Sequence, residues 1–245
     1  MKTLLVIFSI FFSNLSFACS CMPMNINERI STSDFIAKAK IKKIWLDDKN
    51  KSLHNIEIEI IDLYKGVSTK RMKIYSEQMT SCAFFTPQNT TWLIFASKDK
   101  DGILKFGFCS GSIKIENNIA SIQRKIELLK YMKTEKIDMN TKNNVSYVIN
   151  SEFLKKFNGL KELQNNFALY EVTINKDLSV NFVRAIKEFS SESINIELLE
   201  ILKLKSKVYA KNREMTILQQ EKIIIPIFYY PKEKNESSFI SPYDL

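Results

Sequence analysis

The sequence predicts a mainly β protein with an α+β second half. A five-stranded barrel or sandwich with one packed helix comes first, then a small hairpin–helix–strand unit. Three observations predict it. Apolar residues recur in five short runs across residues 35–109, several alternating at period two and divided by turn signals. From Ile119 to Met132 the spacing becomes helical. All four cysteines precede residue 110, which marks the second half as a separate unit.

Residues 1–18 read as a signal peptide: Lys2 gives the positive start, Leu4 to Phe12 the apolar core, and Ser16-Phe17-Ala18 the small residues before a cut. A membrane span needs about 20 apolar residues, more than this core has. A lipoprotein signal would prefer Leu where Ser16 stands, so ordinary cleavage is expected, with a lipid anchor on Cys19 as the alternative. Phe35, Ala37, Ala39 and Ile41 oppose Lys38, Lys40 and Lys42 in a first strand. Ile56, Ile58 and Ile60 form a second, ending at Lys65-Gly66. Met72 to Tyr75 is a third, and the continuous run Trp92 to Ala96 a buried fourth. Lys100-Asp101-Gly102 turns into a fifth at Leu104 to Cys109. The helix carries Ile119, Ile122, Ile126, Leu129 and Met132 on one face.

The first domain is thus expected over residues 19–133, and the polar stretch 134–148 as a linker. The second domain, 149–230, begins with a short helix near Phe153 to Leu160. A hairpin follows around Asn175-Lys176-Asp177, then a helix over 194–204 and a last strand over 223–228. Pro226 favours an edge or terminal position there. Residues 231–245 read as a loose tail.

The formal charge is +9, but the lysines are scattered among apolar residues with no Arg-rich run, which reads as solvated faces and no nucleic-acid partner. No later stretch would span a membrane in the mature form. Four cysteines behind a secretion signal read as two disulfides, with three possible pairings; Cys19 with Cys21 would close a very small ring. The thiols admit two other readings. Cys19, Cys21, Met22 and Met24 are soft ligands that suit copper(I), and redox catalysis would want Cys-x-x-Cys, which is missing. The single histidine, His54, reads as a loop residue and cannot furnish a zinc site or triad. Asp47-Asp48 and Glu57/Glu59 read as solvent-facing carboxylates. No phosphate loop is present, so neither an enzyme, a cofactor nor an intrinsic metal is expected.

Cys19-Ser20-Cys21-Met22-Pro23 resembles the Cys-x-Cys-x-Pro start of mature tissue inhibitors of metalloproteinases, members of the netrin-like OB-fold group. The resemblance continues at Thr32 to Lys40, Tyr64-Lys65-Gly66, Ser81-Cys82-Ala83-Phe84 and Asp101 to Ser110, covering residues 19–132. It implies an OB-like barrel with disulfides Cys19–Cys82 and Cys21–Cys109. It also implies that the α-amine and carbonyl of Cys19 chelate the zinc of a partner protease while Ser20 enters the neighbouring pocket. A catalytic zinc keeps an open position for such donors. An α-amine with a pKa near about 7.7–8 loses its proton readily to a metal. The family's further cysteine near residues 30–32 is missing here, and Ala83 stands where Gly is common.

Residues 165–230 are similar, less specifically, to the C-terminal domain of the TonB family, whose members add a partner strand to a sheet edge. Together these imply a bacterial-type, secreted or periplasmic two-domain binding protein. Inhibition of a zinc metalloprotease is one expectation, and a cell-envelope interaction or scaffold role is the alternative.

Overall fold

Segments with an apolar residue at every second position bury one face, and here that burial closes a barrel. The computed structural model describes residues 19–21, 24–77, 80–116, 119–141, 143–211, 217–234 and 236–243; the leader expected over residues 1–18 lies outside them. A short helix, α1 (Ile26–Thr32), leads into β1 (Phe35–Leu46), β2 (Leu53–Lys65), β3 (Arg71–Tyr75), β4 (Thr91–Lys98) and β5 (Leu104–Gly107). The strands pair in the order β1–β2–β3–β5–β4, and β4 pairs back to β1. β3 and β5 form the one parallel pair among them. This is a closed five-stranded barrel of OB-like form.

Long β1 pairs on both edges, and three register shifts against β2 let it coil around the barrel. Ala37, Ala39, Ile41, Ile56, Ile74, Ile94 and Phe106 fill the interior. β4 is continuously apolar because both its faces are covered: Trp92, Ile94 and Ala96 point inward, Leu93 and Phe95 outward into a second cluster. Gly66 turns the chain between β2 and β3 at φ +88°, where a Cβ would stand 2.4 Å from the Asp34 carbonyl oxygen. A side chain is excluded there on both counts.

β6 (Ile113–Lys114) adds to β4, and α2 (Ala120–Thr134) follows. The second half holds β7 (Val145–Ile149), β8 (Phe167–Ile174), β9 (Val180–Lys187), α3 (Glu192–Leu204), β10 (Ser206–Ala210), β11 (Glu221–Tyr230) and β12 (Phe239–Ser241). One sheet runs β12–β11–β8–β9, and β7 pairs with β10. Outer Ile36, Leu93 and Phe95 share a core with Ile122, Ile126 and Leu129 of α2 and with Phe167, Leu169 and Phe228 of that sheet. α2 therefore has barrel on one side and sheet on the other. No helix among the described residues is long and apolar enough to cross a membrane.

Several local expectations change. The stretch read as a linker already contains most of β7, because Val145 and Tyr147 are buried against the second core. The stretch read as a loose tail contains β12, with Ile240 buried and paired opposite Tyr229. The helix expected near Phe153 is a 3₁₀ segment over Ser151–Phe157. Leu178 takes the positive φ of the β8–β9 turn, +68°, in place of a glycine. Pro226 precedes the three residues of β11 that β12 covers, so its missing donor costs that pairing nothing. His54 belongs to β2, opposite Leu46, and lines a small cavity with Thr86.

Candidate functional site

The candidate residues meet at one end of the barrel, where β3 and β5 end together at the Tyr75–Gly107 pair. Two disulfides are formed there, Cys19–Cys82 and Cys21–Cys109, with Cα–Cα separations of 5.2 and 5.3 Å. Every cysteine is therefore oxidised, and the copper(I) reading is overturned: no thiolate remains to ligate a soft metal. Met22 and Pro23 of the opening motif lie outside the described residues.

Each disulfide is fixed at its far end. Cys82 sits in the loop after β3, where Phe84 plugs the barrel edge-on to Trp92 and Phe106, at 5.4 and 6.0 Å between ring centroids. The Phe84 N–H donates to Ser76 Oγ at 2.9 Å, and the Cys82 N–H to Thr80 Oγ1 at 3.1 Å. Cys109 lies in a 3₁₀ turn, Phe108–Ser110, that Gly111 ends in the left-handed region. Ser110 Oγ donates to the Gly107 carbonyl at 2.8 Å and lies 2.8 Å from Ser112 Oγ. Ser112 in turn accepts from the Phe95 N–H at 2.8 Å and so ties the turn to β4.

The segment is also held from behind. The Arg29 N–H of α1 donates to the Asn25 carbonyl, and Glu28 Oε2 accepts from the Asn25 N–H at 3.3 Å. This is the side-chain half of a capping arrangement that fixes where the helix begins. Arg29 Nε donates to the Met24 carbonyl at 3.2 Å, and buried Lys65 donates to the Ile30 carbonyl at 2.7 Å. A cation at the last turn suits the negative end of the helix.

At the front, the Cys19 nitrogen donates to Ser81 Oγ at 2.7 Å. Ser20 is exposed, between half-buried Cys19 and Cys21. Phe85 (71% exposed), three residues after Cys82, and Phe108 (46%), next to Cys109, are exposed aromatic residues near the bridged cysteines in sequence. The structure thus brings together the sequence-predicted Cys19, Ser20, Cys21, Cys82 and Cys109. No local sequence pattern marks Ser81, Phe85 or Phe108. Ser81 stood inside a matched stretch, but only the loop's fold aims its hydroxyl at Cys19. The solvent-facing carboxylates are partly corrected: Asp47 is buried, accepting from Lys73 Nζ at 2.6 Å and from the Lys49 and Asn50 N–H groups at 3.1 Å. These donors, Lys73 foremost, hold its carboxyl far below the usual range. It is a loop staple rather than an acid catalyst.

The arrangement is a short N-terminal segment, exposed at Ser20 and cross-linked twice to the barrel. No curated protein matches the chain. Residues 17–145, more than half of the chain, match the family model described as Tissue inhibitor of metalloproteinase. With the OB-like barrel and the two disulfides, that match places this chain in the tissue inhibitor of metalloproteinase family.

Proposed function

We propose that the mature protein, beginning at Cys19, inhibits a secreted zinc endopeptidase. The Cys19 α-amine and carbonyl chelate the protease zinc and displace its water, and Ser20 enters the adjoining pocket. Phe85 and Phe108 supply apolar contact at the rim. The observation that carries this reading is the tethering of Cys19, by disulfide to Cys82 and by hydrogen bond to Ser81, beside an exposed Ser20. A donor already held in place loses little freedom on docking. The Ser81 hydroxyl, in contact with the nitrogen, steers its lone pair once the metal has taken the proton's place. The chain acts outside the cytoplasm, where its disulfides persist.

The test is a titration of the mature chain, starting at Cys19, against a panel of secreted zinc endopeptidases. A second preparation carries one extra Ala before Cys19, which leaves the fold intact and converts the amine to an amide. Inhibition of at least one protease is expected, weakened by about a hundredfold or more in the extended form, the scale of losing a charge-assisted contact of ~3 kcal/mol. Equal inhibition by both preparations would refute the chelation mechanism, and none by either would refute inhibition.

A further inference from the structure

Between the chain that leaves α2 and the sheet of the second half lies a cavity of about 520 Å³. That is the volume of a small-molecule site, and such sites favour the junction of two packed units. Buried Leu128 and Met132 of α2 line it and belong to the shared core. The Tyr131 hydroxyl donates to the Ile186 carbonyl at 3.3 Å and so fixes α2 to β9 beside it. Ile137 and Met139, after α2, and Ile186 and Ile224, of the sheet, also line it and are only half-buried. Apolar surface from both halves thus stays available to an occupant, and the Met139 thioether adapts to its shape.

The charges on the sheet side are unequal. Glu171 of β8 pairs with Arg184 of β9 on one edge and with β11, which carries Lys222, on the other. Glu171 Oε2 lies 3.3 Å from Arg184 Nη2, and Oε1 lies 3.3 Å from Lys222 Nζ, so one carboxylate with both oxygens taken meets two cations. A guanidinium has five donors and an ammonium three, and Glu171 is the acid that both reach among the described residues. On the other side, Asp138 has both oxygens engaged, by the Asn140 N–H and the Thr141 hydroxyl, and adjacent Glu135 and Lys136 offset each other. The unspent hydrogen-bonding capacity is therefore that of Arg184 and Lys222. A carboxylate fits it, because its oxygens accept from a guanidinium fork and an ammonium together. We propose that this cavity binds a small amphipathic carboxylate, its head on Arg184 and Lys222 and its hydrocarbon chain against Ile137, Met139, Ile186 and Ile224. Both cations are exposed, so sharing them between Glu171 and the head breaks no buried pair. A ligand that touches both halves also ties them together. Binding here is independent of protease inhibition and is measured without a protease.

The experiment is a calorimetric titration of the full mature chain with decanoate, below its micellar concentration and at constant ionic strength, with NMR observation of the isoleucine methyl groups. Saturable binding of one decanoate per chain is expected, with the largest shifts at Ile137, Ile186 and Ile224. Decyltrimethylammonium, with the same chain and the opposite charge, is expected to bind at least about tenfold more weakly. The double variant Arg184→Gln, Lys222→Gln weakens decanoate binding about tenfold or more, while the exposed barrel variant Lys43→Gln leaves it unchanged. Should the double variant fail to fold, the methyl shifts and the comparison of the two head groups are still read on the wild type. Absence of saturable decanoate binding overturns the proposal, as do shifts centred on other isoleucines. Equal affinity for the two head groups, or decanoate binding that survives the double substitution, overturns it as well.

Discussion

Removing the disulfides one at a time gives a result that their loop lengths conceal. Taken alone, bridges closing 63 and 88 residues each restrict the unfolded chain by about 4.3 and 4.6 kcal/mol in the chain-entropy picture. They are not alone. Cys19 and Cys21 are two residues apart, and Cys82 and Cys109 are 27 apart. With one bridge intact, the other therefore closes an effective unfolded loop of only about 20–30 residues, worth about 3.3–3.6 kcal/mol. Replacing either pair by alanine is expected to cost that same amount, despite the unequal separations. For a chain of this size it lowers Tm by roughly 7–14 °C. Removing the second pair then costs about 4.3–4.6 kcal/mol more, so the double loss exceeds twice the single one. The assay is guanidinium unfolding of the four proteins without reductant, followed by fluorescence and circular dichroism. A markedly larger loss from the Cys21–Cys109 pair than from Cys19–Cys82, or strict additivity of equal steps, would refute the linked-loop account.

Two further outcomes are expected besides the inhibition titration above. Gly66→Ala forces a side chain into a left-handed position 2.4 Å from the Asp34 carbonyl, and a loss of about 2 kcal/mol or more is expected in the same unfolding assay. Asp47 has its folded pKa depressed, so its contribution to stability is full above the ordinary carboxylate pKa of about 3.9 and is lost as pH falls below it. A plot of Tm against pH from 7 down to 2 is expected to fall less steeply below about pH 4 in Asp47→Asn than in the wild type. Parallel curves would remove Asp47 from the acid sensitivity.

The barrel was legible because its strands are half-buried, and half-burial writes period two into the sequence. Ala37, Ala39 and Ile41 against Lys38, Lys40 and Lys42 carried β1 without help. β4 was legible for the opposite reason, since burial on both faces leaves no polar positions inside the run. What escaped were short elements held by distant partners. α1 has seven residues and is secured by Ile26 and Ile30 in the shared core and by Lys65, far along the chain. β7 and β10 exist because Ile149 meets Ser206, and β12 because Ser241 meets Phe228, pairings that no local pattern announces. His54 looked like a loop residue for the same reason, with polar neighbours in sequence and strand neighbours in space. At the site, the cysteine spacing carried the resemblance and thereby the disulfides. The hydrogen bond from Cys19 to Ser81 depends on loop placement, which spacing does not encode.

The family match stops at residue 145, but the molecule has no seam there. Phe167, Leu169 and Phe228 form the opposite wall of the core that Leu93, Phe95 and α2 belong to. A fragment cut at the boundary of the match would carry α2 with one flank stripped, an open apolar surface where a closed interior had been. The end of the family match and the limit of the packed core thus fall at different places. The second half serves as the missing side of the first, since residues of both line one core.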